Sequence, residues 1–190
     1  LTEVLPTIAS RCCKINFAPL AALEIAKYLE KSCECNADTA QVLAIESLGS
    51  IQYAQLLASM GQADWKQHIL DILKYFHQMS FEDKSTKLEA LEKHIEEHGE
   101  LFIDYVFEFL SKLLRDVTVV RQGWNEHVVF THLIEDLKVL ASIYVESLDF
   151  FVACIEETIK CYKANIKLKS CLEVLLLRIN HQGAMRKAIR

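Results

Sequence analysis

The chain has 190 residues, 52% of them hydrophobic, with five glycines and two prolines, which is enough apolar material for one sizeable helical domain or two small ones. A formal charge of -5 and a pI near 5.8 argue against a dominant role in gripping phosphate backbones, which needs clustered Lys and Arg. The best basic run, MRKAIR at residues 185–190, reads as a solvated tail.

Cys12, Cys13, Cys33, Cys35, Cys154, Cys161 and Cys171 are odd in number and lack the spacing of a disulfide framework, so they read as reduced, intracellular thiols. No apolar run approaches the ~18 residues of a membrane span, because Glu146 and Asp149 break the longest candidate. Glu3, Pro6 and Arg11 interrupt any signal peptide. The expectation is a cytoplasmic protein without membrane contact. A chain opening in mid-loop is also expected to be a piece of a longer one.

In chain order, "LPTIASRCCKINF" (residues 5–17) comes first. Pro6, Thr7 and Ile8 predict a loop, and the alternation of Cys13, Ile15 and Phe17 predicts a short strand with one face on a core. Pro19 suits the first position of a helix, since its missing N–H has no partner there, and Leu20, Leu23, Ile25, Ala26 and Leu29 then share a broad apolar face. Asn36 or Asp38 predicts the cap of a second helix, which Gly49 stops, and a third follows Ser50. The "GQAD" of residues 61–64 is the best linker signal in the sequence. Residues 1–62 thus form a first unit of a strand remnant and three short helices.

Residues 63–190 predict a bundle of about five longer helices. Ser80 and Asp83 have capping-box spacing before a helix that stops at Gly99. Phe102, Val106, Phe109 and Leu113 belong to a helix too apolar to face water on more than a small side. Phe130, Leu133, Leu137 and Leu140 predict one continuous helix, Ser147 caps the next, and Asn165 caps the last. Leu168, Leu172, Leu175, Leu176 and Ile179 form the face that this last helix buries in its bundle. Val174 and Leu177 project elsewhere, as an interface would require. The fold class is all-α.

Three strings invite a chemical reading. "HIEEH", His94 to His98, fits a zinc-peptidase pattern, but it lacks a third ligand and lies on a charged helix that ends one residue later. Cys33 and Cys35 stand one residue apart with no second pair at finger spacing, so ordinary thiols are expected. The glycines are scattered singly, so no phosphate-cradling loop exists and neither a cofactor nor a metal is expected.

The third string is "SRC", Ser10, Arg11 and Cys12. Preceded by "LPTI" and followed by the three-helix pattern, it resembles the end of the ATPase core and the lid of clamp-loader subunits of the AAA+ family. The final stretch, from Asn165 through "LEVLLLRI", resembles the last collar helix of bacterial DNA polymerase III clamp-loader subunits. The resemblance implies an AAA+ lid at 1–62 and a collar at 63–190. It also implies that Arg11 is a trans arginine finger reaching ATP on a neighbouring subunit. Phosphoryl transfer spreads negative charge over γ-phosphate oxygens, which a planar, permanently charged guanidinium binds bidentately.

Motor subunits of such loaders carry a nucleotide-sensing arginine in a "GSxRDA"-like string. Here "GSIQYA", Gly49 to Ala54, places Gln52 at that position. The implied role is a non-motor, stator-like subunit without catalysis of its own. Its partners would be the gamma or tau and delta subunits and, through the assembly, the sliding clamp and primed DNA. The alternatives are a gamma-like motor subunit, an unrelated helical adaptor, and a zinc hydrolase using His94 and His98.

Overall fold

In the computed structural model, residues 6–13, 15, 17–60 and 65–187 are described, with backbone alone at 6, 9 and 181–187. The helices run in the order α1 (Pro6–Ala9), α2 (Ala22–Ser32), α3 (Ala37–Glu46), α4 (Ile51–Met60), α5 (Trp65–Tyr75), α6 (Phe81–Glu97), α7 (Glu100–Arg121), α8 (Ile134–Ile143), α9 (Leu148–Lys163) and α10 (Leu168–Lys187). The fold is all-α, and the described residues contain no strand. No helix among them is long and apolar enough to cross a membrane.

Side-chain caps set several of these boundaries, because the first amides of a helix have no partner within it. Asn36 Oδ1 accepts from the Thr39 N–H at 2.8 Å, Ser80 Oγ from that of Asp83 at 3.1 Å, and Ser147 Oγ from that of Phe150 at 3.3 Å. Ser50 Oγ does the same for Tyr53 at 3.3 Å. Past the end of α3, Leu48 and Gly49 take φ of +56° and +84°, and a Cβ at Gly49 would lie 2.4 Å from the Pro19 Cβ, so the turn there needs a glycine.

Two apolar clusters result. The smaller, Ile25, Ala26, Leu29, Ala40, Ala44 and Ala54, is rich in alanine, which lets α2 lie close on α3 and α4. The larger is built around α7, where 11 of 22 residues are buried. A helix apolar on most sides needs neighbours on most sides, and α6, α8, α9 and α4 supply them. Trp65 of α5 meets Phe102 and Phe109 edge to face, each with ring centroids 5.2 Å apart. A cavity of about 20 Å³ between α5, α6, α7 and α10 is lined by residues such as Leu73, Leu91, Val106 and Leu172. It offers a water no polar partner and so is a packing gap.

The two clusters are joined at Glu46, the last residue of α3, whose side chain is 2% exposed. Its carboxylate is paired with Lys66 of α5, and His132 Nε2 lies 3.1 Å from Glu46 Oε1. Tyr105 of α7 donates its hydroxyl to the Glu46 carbonyl at 3.1 Å. Burial pushes the Glu46 carboxyl upward, but the His132 hydrogen bond and the Lys66 charge outweigh it, and the net displacement is below the ordinary carboxylate range.

Four sequence expectations are corrected. The predicted strand is not formed among the described residues: Pro6–Ala9 is helical, Cys13, Ile15 and Phe17 are all exposed, and Lys14 and Asn16 lie outside the described residues. A single short strand has no strand to pair with among the described residues, so alternation alone does not hold it there. The first long helix starts at Ala22 rather than Pro19, leaving Leu20 and Leu23 exposed outside the buried stripe of Ile25, Ala26 and Leu29. Pro19 instead packs against Gly49, and the Leu20 N–H donates to the Gly49 carbonyl at 3.0 Å. Asn165 has φ +62° and ends α9 rather than capping α10.

The fourth correction concerns the continuous helix predicted after residue 124. Two 3₁₀ turns, Asn125–His127 and Thr131–Leu133, precede α8. Asp116 of α7, fully buried, explains the break: its Oδ2 accepts from the Val129 and Phe130 N–H groups at 2.8 Å each, and its Oδ1 from Arg115 at 2.7 Å. Those two amides are thereby held by a side chain instead of a helix ladder. Asp116→Asn removes one acceptor and the charge, and leaving a buried donor unsatisfied costs about 1–3 kcal/mol. Thermal unfolding followed by circular dichroism is expected to show a midpoint several degrees lower, with faster amide exchange at Val129 and Phe130. An unchanged midpoint would refute this account of the loop.

Candidate functional site

Arg11 lies in the turn that closes α1. Its N–H donates to the Ile8 carbonyl at 3.0 Å, and the Ser10 hydroxyl donates to the Thr7 carbonyl at 3.2 Å. These local bonds fix the backbone while Ser10, Arg11 and Cys12 remain exposed. Among the described residues no carboxylate pairs with the guanidinium. A guanidinium left in water is free to meet an oxyanion brought by another molecule, with five donors in a fixed plane. It cannot by itself activate a nucleophile or move a proton.

The same segment exposes Ile8 at 51%, Ile15 at 73% and Phe17 at 90%, so the Arg11 turn sits in an apolar stretch that this chain leaves uncovered. Gln52 is exposed in the first turn of α4. The Gly49–Pro19 contact fixes the start of that helix.

α10 divides as its sequence predicts. Leu168, Leu172, Leu175, Leu176 and Ile179 are buried, whereas Val174 is 49% and Leu177 50% exposed. The neighbouring Arg178 forms a two-pronged pair with Glu157 of α9, one bond at 3.0 Å, which holds the two helices together beside the exposed pair. That face therefore carries two half-exposed apolar side chains beside a fixed charge pair.

His94 in the last turn of α6 and His98 just past its end do lie side by side, with ring centroids 4.7 Å apart and the rings tilted at 48°. Their surroundings are structural. His98 Nδ1 lies 2.8 Å from the His94 carbonyl, both rings pack on Phe102, and no third His, Cys, Asp or Glu joins them in a metal-sized group among the described residues. Burial, then the neighbouring His98, holds the His94 ring below the ordinary imidazole range. Cys33 and Cys35 are half-buried at the end of α2, where the Cys35 thiol donates to the Cys33 carbonyl at 3.7 Å.

One feature escapes sequence reading. An open groove of about 530 Å³ runs between the end of α7, the first 3₁₀ turn and the start of α9, lined by Arg115, Thr118, Gln122, Trp124, His127 and Leu148 among others. Trp124 is 58% exposed at its rim. The Arg115 guanidinium is already engaged by Asp116 and by the His127 carbonyl at 3.0 Å, so the groove is a shaped surface rather than an ion site. A tryptophan following a glycine within "RQGWNEH" is the one signal that hinted at it. No model of a known family matches the chain, and no characterised protein or solved structure matches it either.

Proposed function

We propose that the chain is the lid and collar of a non-motor, stator-like clamp-loader subunit of the delta-prime type. In this reading residues 1–62 are the lid and 63–190 the collar. The protein is cytoplasmic, catalyses nothing itself, and helps assemble the loader that places a sliding clamp on primed DNA. Its partners are the gamma or tau and delta subunits, and it lends Arg11 to the ATP held by its neighbour.

The observation that carries the reading is Arg11 itself: exposed, unpaired among the described residues, and set in a "SRC" turn ahead of a three-helix layer. Gln52 supports the non-motor assignment, since an amide cannot supply the charge by which a motor subunit senses its own nucleotide. The exposed Val174 and Leu177 support a collar that meets sister subunits. They would serve a helical adaptor equally well, and Arg11 separates these readings because an adaptor has no use for it.

Two outcomes test the proposal. With Arg11→Ala in a reconstituted loader, assembly stays intact and the ATPase stimulated by DNA and clamp falls. One finger can be worth about 10³–10⁵ at its own site, and the drop in total turnover is far smaller because other sites keep theirs. Wild-type ATPase and clamp loading in that complex would remove Arg11 from any phosphate. Leu177→Asp, at a half-exposed position, costs about 0.5 kcal/mol of helix propensity and leaves the chain folded by circular dichroism. Loss of an interface anchor is worth ~2 kcal/mol or more, so size-exclusion should show the variant failing to enter the loader. A variant that assembles normally would take Leu177 out of the interface, and one that unfolds would assign it to the core.

A further inference from the structure

The turn between α9 and α10 brings together two cysteines that no part of the functional reading uses. Cys161 lies in the last turn of α9 and Cys171 in the first turn of α10. Ile166 connects them. Its N–H donates to the Cys161 carbonyl at 3.2 Å, while the Cys171 thiol donates to the Ile166 carbonyl at 3.7 Å.

The first of these bonds belongs to a Schellman ending of α9. Asn165 takes the left-handed conformation, and its N–H donates to the Tyr162 carbonyl at 2.9 Å. One residue therefore serves the end of one helix and the start of the next, bonded to Cys161 through the Cys161 carbonyl and to Cys171 through its thiol.

The pairing of the two helices gives the same register. α9 and α10 pack as an antiparallel hairpin, so residues equally far from the turn lie at one level. Cys161 stands five residues before Ile166 and Cys171 five residues after it, which sets the two at about one level in the hairpin. Further from the turn, Arg178 of α10 pairs with Glu157 of α9, which keeps the two helices in contact. Burial raises the Cys171 thiol, and the neighbouring Cys161 raises it further. Cys171 is 4% exposed and Cys161 half-buried, so an oxidant from solvent meets Cys161 first.

We propose that Cys161 and Cys171 are a dithiol pair that closes to a disulfide on oxidation, a modification site that clips the base of α10 to the end of α9. With oxidised glutathione as oxidant, the Cys161 thiolate attacks one of its sulfurs, breaking that S–S bond and releasing one glutathione thiolate. The Cys171 thiolate then attacks Sγ of Cys161 in the mixed disulfide and expels the second glutathione. The protein thiols give up two electrons and two protons, and the oxidant leaves as two glutathione thiols. The clip needs nothing from the proposed loader role and stands or falls apart from it.

The test uses the full folded chain, incubated with oxidised glutathione, alkylated with N-ethylmaleimide and read by peptide mass spectrometry. The expected product is a cross-linked peptide pair joining Cys161 to Cys171, two hydrogens lighter than the reduced peptides and reopened by dithiothreitol. Cys171→Ala is expected to stop at glutathione on Cys161, which the wild type does not accumulate. The proposal is overturned if the folded wild type, judged by circular dichroism, yields both cysteines alkylated or both carrying glutathione without a cross-link. It is equally overturned if the cross-link forms only after denaturation.

Discussion

A buried carboxylate at the end of α3 decides how the two apolar clusters of this protein meet. Glu46 belongs by sequence to the alanine-rich helices, yet its charge is satisfied from the other side, by Lys66 and His132, and its carbonyl by Tyr105. A carboxylate 2% exposed is costly unless it is paired and hydrogen-bonded, so these contacts hold only in one mutual placement of α3, α5 and α7. Apolar packing between α4 and α7 is less directional and would tolerate sliding; the Glu46 contacts do not. Lys66 and His132 are 23% and 27% exposed at their side chains, so either recovers water if the pair breaks. The joint is therefore worth on the order of 1–3 kcal/mol, below what a fully buried pair loses when one partner is removed.

That joint sets the large cluster, which carries the Val174–Leu177 face, against the small cluster that follows the Arg11 turn in the chain. The Arg11 turn precedes the small cluster and the Val174–Leu177 face lies on the large one, so a protein that delivers a charge to one neighbour while docking on another needs the clusters coupled. The apolar exposure around Arg11, through Ile8, Ile15 and Phe17, and the exposure on α10 share a physical character. Both are side chains that the chain's own cores do not reach. The groove beside Trp124 differs, because its wall is pinned by Asp116 to the loop that follows α7.

Much of this was legible in the sequence where a local rule carries the structure. Asn36, Ser80 and Ser147 cap helices because a side-chain oxygen reaches amides three residues on, an interaction written within four residues. The division of α10 into a buried and an exposed face follows from its period. The failures lie where a distant partner intervenes. The break at residues 125–133 comes from Asp116, thirteen and fourteen residues upstream of the amides it holds. Leu20 lies ahead of α2, where the Pro19–Gly49 contact holds the chain beside the turn that precedes α4, and Leu23 falls outside the buried stripe of Ile25, Ala26 and Leu29. The alternation at Cys13, Ile15 and Phe17 misled because periodicity describes a face and says nothing of whether a core lies opposite it. Arg11 was legible as a residue type in a motif; its lack of a carboxylate partner among the described residues was not.

The most direct measurement on this account is the stability gap between the wild type and Glu46→Gln, followed by thermal unfolding from neutral pH down through the acid range. Because pairing lowers the Glu46 pKa in the folded state, its stabilisation is fully present above the ordinary carboxylate range and is lost as pH falls through the lowered value. The predicted result is a wild type more stable at neutral pH, with a gap that closes on acidification. A gap that is absent at neutral pH, or one that stays constant as the carboxylate protonates, would show that Glu46 does not hold the two clusters together.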